Sequence, residues 1–123
     1  MSKTTQKTYL EILASGTRTA SFTGADITDG GYRGAIITVN VGNVSAGSLV
    51  VTVEGKDRVS AKYYTIIASA PFLSAATRQL RIYPGLTAST NLTVSDLLPE
   101  TWRVTTTAAS GTADYSIGAS LFD

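Results

Sequence analysis

The chain contains neither histidine nor cysteine. General acid–base catalysis leans on histidine, and the common zinc sites are built from histidine and cysteine. Ser-His-Asp and Cys-His arrangements therefore cannot be assembled within this chain. A disulfide framework and a cysteine nucleophile are excluded as well. Charge is also scarce. Ten basic and nine acidic residues leave a net charge of +1, and 15% of residues are charged against about 25% in an ordinary domain. No like-charge run reaches the roughly five residues of an interaction tail. No global field draws the chain to nucleic acid or to a membrane. No apolar stretch approaches the ~18 residues of a membrane-spanning helix. The polar start Met1–Lys7 is not followed by the apolar core of a secretory signal. Neither GxGxxG nor GxxxxGK occurs.

What replaces charge is Thr, Ser, Ala and Gly, together with a hydrophobic fraction of 43%. At 123 residues a single domain buries roughly 65–70% of the surface its unfolded chain exposes, enough for a core without staples. Alternation of apolar and polar residues recurs between short turn signals, the pattern of half-buried strands. Eight strands are expected, over 8–15, 17–22, 35–41, 49–54, 63–68, 79–83, 101–107 and 115–121. In the clearest, Ile37, Val39 and Val41 share one face and Ile36, Thr38 and Asn40 the other. Trp102, Val104 and Thr106 share a face, as do Tyr115, Ile117, Ala119 and Leu121. No window carries a helical stripe, although Ser95–Leu98 could make one turn before Pro99. The expectation is an all-β antiparallel sandwich, immunoglobulin-like or jelly-roll-like, spanning 8–123 as one domain behind a flexible N-terminal arm over 1–7.

Two stretches fit this scheme poorly or carry possible chemistry. Pro84–Glu100 is long for a hairpin connection, and Leu86, Leu92, Val94, Leu97 and Leu98 make it too apolar for a solvated loop. It should fold back on the core, with a short edge strand at Asn91–Ser95, or lie against a partner. Asp26-Ile27-Thr28-Asp29-Gly30-Gly31 has oxygen ligands for calcium but lacks the alternating ligands and distal Glu of an EF-hand loop, so it reads as a Gly-rich turn. Asp57, Glu100 and Asp114 also lie in or beside turns, where carboxylates bond nearby backbone. The cations Arg58, Lys62, Arg78, Arg81 and Arg103 alternate with core positions, and read as the outside of strands rather than a nucleic-acid face. Ile36 and Val50 stand opposite their strands' core residues, beside Thr and Asn. Apolar spots on a charge-poor face suit subunit contact; equally, loops partly cover both positions. The candidate interface residues are thus Ile36, Val50, Leu86, Leu92 and Val94. No catalytic, cofactor-binding or metal residue is assigned, and no cofactor, nucleic acid or membrane is expected.

In order along the chain stand Gly55-Lys56-Asp57, Val59-Ser60, Lys62-Tyr63-Tyr64-Thr65, Leu80-Arg81-Ile82-Tyr83-Pro84-Gly85-Leu86, Leu98-Pro99, Thr101-Trp102-Arg103-Val104 and Tyr115-Ser116-Ile117-Gly118. Together they resemble a family of small virion proteins of tailed phages and prophages, from about Gly34 to Leu121. Residues 1–33 lie outside the resemblance, and the loop Ala108–Ala113 diverges. The resemblance implies a non-enzymatic β-sandwich made in the host bacterial cytoplasm and carried on the capsid surface. Its expected role is decoration, or cement, stabilising the head. The implied partners are the major capsid protein and further copies of itself, in a homo-oligomer such as a trimer. Other readings are a tail, baseplate or head–tail connector component, and a carbohydrate-binding or adhesin module using Tyr63, Tyr64 and Tyr83.

Overall fold

The computed structural model describes residues 7–28, 32–108 and 111–122. Alternation becomes structure directly: ten strands and no helix are present among the described residues. β1 (Lys7–Arg18), β4 (Gly34–Val44), β7 (Ala76–Ile82), β8 (Thr93–Val94) and β10 (Ala113–Phe122) form one sheet, in the order β1-β10-β4-β7-β8. β2 (Phe22–Thr23), β5 (Leu49–Lys56), β6 (Tyr63–Ala68) and β9 (Thr101–Ala108) form the second, in the order β2-β9-β5-β6, with β3 (Ile27–Thr28) also on β9. All pairings are antiparallel except β7 with β8. The all-β sandwich read from the sequence is the fold observed.

The inward faces are the ones the alternation marked. Ile37, Val39 and Val41 of β4, Val51 and Val53 of β5, Val104 of β9 and Ile117 and Leu121 of β10 are all buried in one cluster. Trp102 and Phe72 are the largest of its fully buried side chains. Each such side chain contributes on the order of 2 kcal/mol by leaving water, with aromatic rings at the upper end. Tyr115 reaches across the interior, its hydroxyl 3.0 Å from that of buried Thr106, so both polar groups are satisfied.

The first two expected strands are placed differently. β1 runs through Gly16, where a break was expected, as far as Arg18, and the chain then forms the two-residue β2. Arg18 holds the strand together there, donating to the carbonyls of Gly16 (3.0 Å), Ala14 (2.5 Å) and Tyr115 (2.9 Å). Register irregularities after Glu11 and after Leu13 absorb the mismatch. The expected arm over 1–7 lies outside the described residues except for Lys7, which opens β1.

The excursion after β7 does fold back. Pro84 and Gly85 form a tight turn, with Gly85 at φ +90°, the left-handed backbone that glycine adopts without strain. Its N–H donates to Ser95 Oγ at 2.9 Å. Asn91, also left-handed at φ 62°, donates from Nδ2 to Ala68 O at 2.8 Å and ties the loop to β6. The chain then pairs as β8 along β7. The helical turn at Ser95–Leu98 does not form. Leu98 is buried, and its N–H is taken by Arg33 O at 2.8 Å, which holds the segment extended.

Candidate functional site

The outer face of the first sheet is assembled from alternate residues of its strands in three rows. Tyr9, Ser120, Ile36, Arg81 and Thr93 lie side by side across β1, β10, β4, β7 and β8. The next row is Glu11, Gly118, Thr38 and Gln79. The third is Ser116, Asn40 and Thr77, where Thr77 Oγ1 donates to Asn40 Oδ1 at 2.7 Å. In these rows charge is confined to the margins, as Glu11 on β1 and Arg81 on β7. Arg81 donates to neighbouring Gln79 Oε1 at 2.5 Å. The middle is short-chained and neutral. Such side chains lose little rotamer freedom on contact, and uncharged centres mark protein interfaces.

This face ends in an apolar groove of about 440 Å³, lined by Ile36, Arg81, Tyr83, Leu86 and Phe122 among others. The Pro84–Gly85 turn supplies one wall by turning Leu86 back towards the sheet. Phe122 also borders a neighbouring hollow of about 360 Å³ with Thr8, Tyr9 and Ser120. Tyr9 is 69% exposed and stands at the open margin.

Ile36 and Leu86, two of the candidates from sequence, meet in the groove. Leu92 is exposed nearby, its carbonyl accepting from Arg81 N–H at 2.8 Å. Val94, the last residue of β8, is half-buried and packs against the core. Val50 is not part of this surface. It lies on β5 in the second sheet, beside Thr107, and is half-buried on the opposite outer side. Tyr9 and Phe122 were missed. Phe122 ends β10, where alternation has one neighbour fewer to define the face, and Tyr9 lies near the start of β1.

The outer face of the second sheet is charged and closed upon itself. Arg103 Nε meets Glu54 Oε1 at 2.7 Å and the guanidinium lies 3.4 Å from the Tyr63 ring centre. The Tyr63 hydroxyl donates to Asp26 Oδ1 at 2.6 Å, and Lys56 Nζ meets Asp26 Oδ2 at 2.8 Å. These donors, Lys56 first and then Tyr63, hold the Asp26 carboxyl below the usual aspartate range. Asp26 in turn raises Lys56. Arg58 pairs with Glu100 at 2.6 Å. Asp57 accepts from the Ser60 hydroxyl at 2.7 Å and from backbone N–H groups of Val59 and Ser60, which lowers its pKa. Tyr63 is thus engaged on its face and at its hydroxyl, while Tyr64 is 49% exposed, its ring lying over Gly55. Among the described residues no group of three or more acids is placed to hold a metal ion.

No family model matches the chain, and no curated protein matches it. In fold it is similar to the crystal structure of the SPBc2 prophage-derived protein YomS, with a TM-score of 0.50 and 15% identity over all of this chain and 98% of that one. At that identity the likeness is one of fold.

Proposed function

We propose that the chain is a non-enzymatic phage virion protein that binds the outer surface of the capsid and stabilises the head. The observation that carries this reading is the outer face of the first sheet, neutral in its middle and ending in the groove of Ile36, Leu86 and Phe122. A flat neutral face needs no counter-charge to dock, and the groove provides an apolar anchor of the kind that dominates interface energetics. The likeness of fold to a prophage-derived protein and the motif resemblance from Gly34 to Leu121 support a phage setting. The absence of histidine and cysteine supports a role by contact. The partner is the major capsid protein. Repeated copies on one shell gain from avidity, so each contact can be modest.

The test is binding of the purified chain to heads stripped of it. Thr38→Arg places a cation in the neutral centre and should abolish binding with the fold intact. Thr52→Arg, on the outer face of the second sheet, should leave binding unchanged. Equal loss from both variants, or from neither, would reject the docking face.

A further inference from the structure

We infer that the open half of β7 is a strand-addition site for an extended acidic segment of a partner protein. β7 pairs with β4 along its whole length without a break in register, from Ala76 opposite Val41 to Ile82 opposite Ala35. Its other side carries β8 only at Arg81 and Ile82. The N–H groups of Arg81 and Tyr83 point that way, to the carbonyls of Leu92 and Val94 at 2.8 and 3.3 Å. Alternation along an unbroken strand turns the backbone groups of Gln79 and Thr77 to the same side. Among the described residues nothing bonds to the backbone of either there. The flanking segments 69–75 and 83–98 are described throughout, and neither supplies a strand to this stretch. The chain's own continuation is turned away. The parallel register of β8 would set Asn91 beside Gln79 and Ser89 beside Thr77. Asn91 is instead left-handed and bonded to Ala68 O of β6 in the second sheet, and Ser89 closes a turn on Thr93. Proline and bulges commonly spoil an edge for a further strand, and neither interrupts Ala76–Leu80.

Charge selects the occupant. From Tyr63 to Ser95 the chain holds Arg78 and Arg81 and no acid. Arg81 stands on the outer face of β7, and Arg78, three residues earlier, on the inner one. The Arg78 guanidinium lies 4.3 Å from the Phe72 ring centre and donates to the carbonyls of Ala70 and Pro71 at 3.0 and 3.3 Å. Arg81 donates to Gln79. All of these partners are neutral. The ion pairs among the described residues are made by Lys56, Arg58 and Arg103 instead. Cations along an edge discourage most added strands. They favour one that bears acids, because opposite charges across a strand pair stabilise it and like charges destabilise it. A second copy added through its own β7 would bring the arginines of both chains together, so self-pairing is opposed. An extended acidic peptide gains main-chain bonds from Thr77 and Gln79 and selectivity from acids on its two faces. It would lie in line with β8 and complete the margin of the sheet. None of this depends on the partner being a capsid protein.

The probe is a capped octapeptide of alternating Thr and Val with two Glu placed three residues apart, one on each side of the extended chain. Matched peptides carry Gln or Lys at those two places, and a fourth keeps Glu but has alternate backbone nitrogens methylated. Titrated into the full chain labelled with nitrogen-15 at low salt, the Glu peptide should shift the amide signals of Thr77 and Gln79 saturably and slow their exchange with solvent. The Gln peptide should bind about threefold more weakly or worse, and the Lys peptide weakest of all. The methylated peptide keeps the charge but loses the main-chain donors, and should not bind. Arg81→Glu, an exposed change checked for fold by circular dichroism, should weaken the Glu peptide about fivefold or more and narrow its lead over the Lys peptide. Thr77 and Gln79 amides unmoved by the Glu peptide, Lys or methylated peptides that bind as well, or a folded Arg81→Glu chain with unchanged preference would each overturn the inference.

Discussion

The Tyr9 ring on β1 lies diagonally over Gly118 on β10, so closely that a β-carbon at 118 would meet the phenol oxygen at 2.6 Å. Glycine at this position lets the ring lie down on the sheet. Gly118→Val should lift the ring from the face, which costs little because the far end of one side chain is all that must move. Valine also suits a strand. The expected outcome is a melting temperature within a few degrees of the original (~1 kcal/mol or less), a changed environment for the Tyr9 ring by NMR, and weakened head binding.

Trp102 anchors the core at 0% exposure, and its indole N–H has no hydrogen-bond partner among the described residues. Trp102→Ala should cost about 3–5 kcal/mol through the cavity it leaves. Trp102→Phe should cost less than half of that, since it also removes an unpaired buried donor. Urea unfolding followed by circular dichroism measures both.

Gly85 shapes one wall of the groove from a φ of +90°. Gly85→Ala meets no steric obstacle but strains the backbone by about 1–2 kcal/mol. The turn should open and carry Leu86 away from Ile36. Head binding should fall more than stability does, which isothermal titration and thermal melts of the same variant can separate.

Asp26 stands below its ordinary value of 3.8 because Lys56 and then Tyr63 donate to the ionised form. A lowered folded-state pKa contributes stability that is complete above the unfolded value and is lost as pH falls through the folded one. The difference in melting temperature between the original chain and Asp26→Asn should therefore be largest near neutrality and close as pH falls below about 4. Lys56, raised above 10.5 by the same contact, makes a contribution that is present below that value and lost as pH rises through the higher one. Carbon-13 titration of the Asp26 carboxyl should give a midpoint below 3.8.

The core faces were legible wherever a strand is long and one side is buried. Ile37, Val39 and Val41, or Tyr115, Ile117 and Ala119, are marked by nothing more than alternation. The expected return of the segment after Pro84 to the core is made by Leu98 and, in part, Val94, while Leu86, Leu92 and Leu97 stay exposed. Three things were hidden for physical reasons. Ser15-Gly16-Thr17 has the composition of a turn, and it stays in a strand through pairing of Gly16 and Thr17 with β10 and through Arg18 bonding back to Ala14 and Gly16. β2 and β3, of two residues each, are too short to show a period and exist because β9 pairs with them. Strand alternation also does not say which sheet a strand joins. Ile36 and Val50 carry the same local pattern, yet β4 and β5 belong to different sheets, and the two residues face opposite ways.

The docking proposed above is tested most directly by the ratio of this chain to the major capsid protein in virions purified from a host that expresses it. Decoration predicts many copies in a fixed proportion to the capsid protein, lost together with Thr38→Arg. A few copies per particle that stay with isolated tails, or absence from the virion, would contradict it.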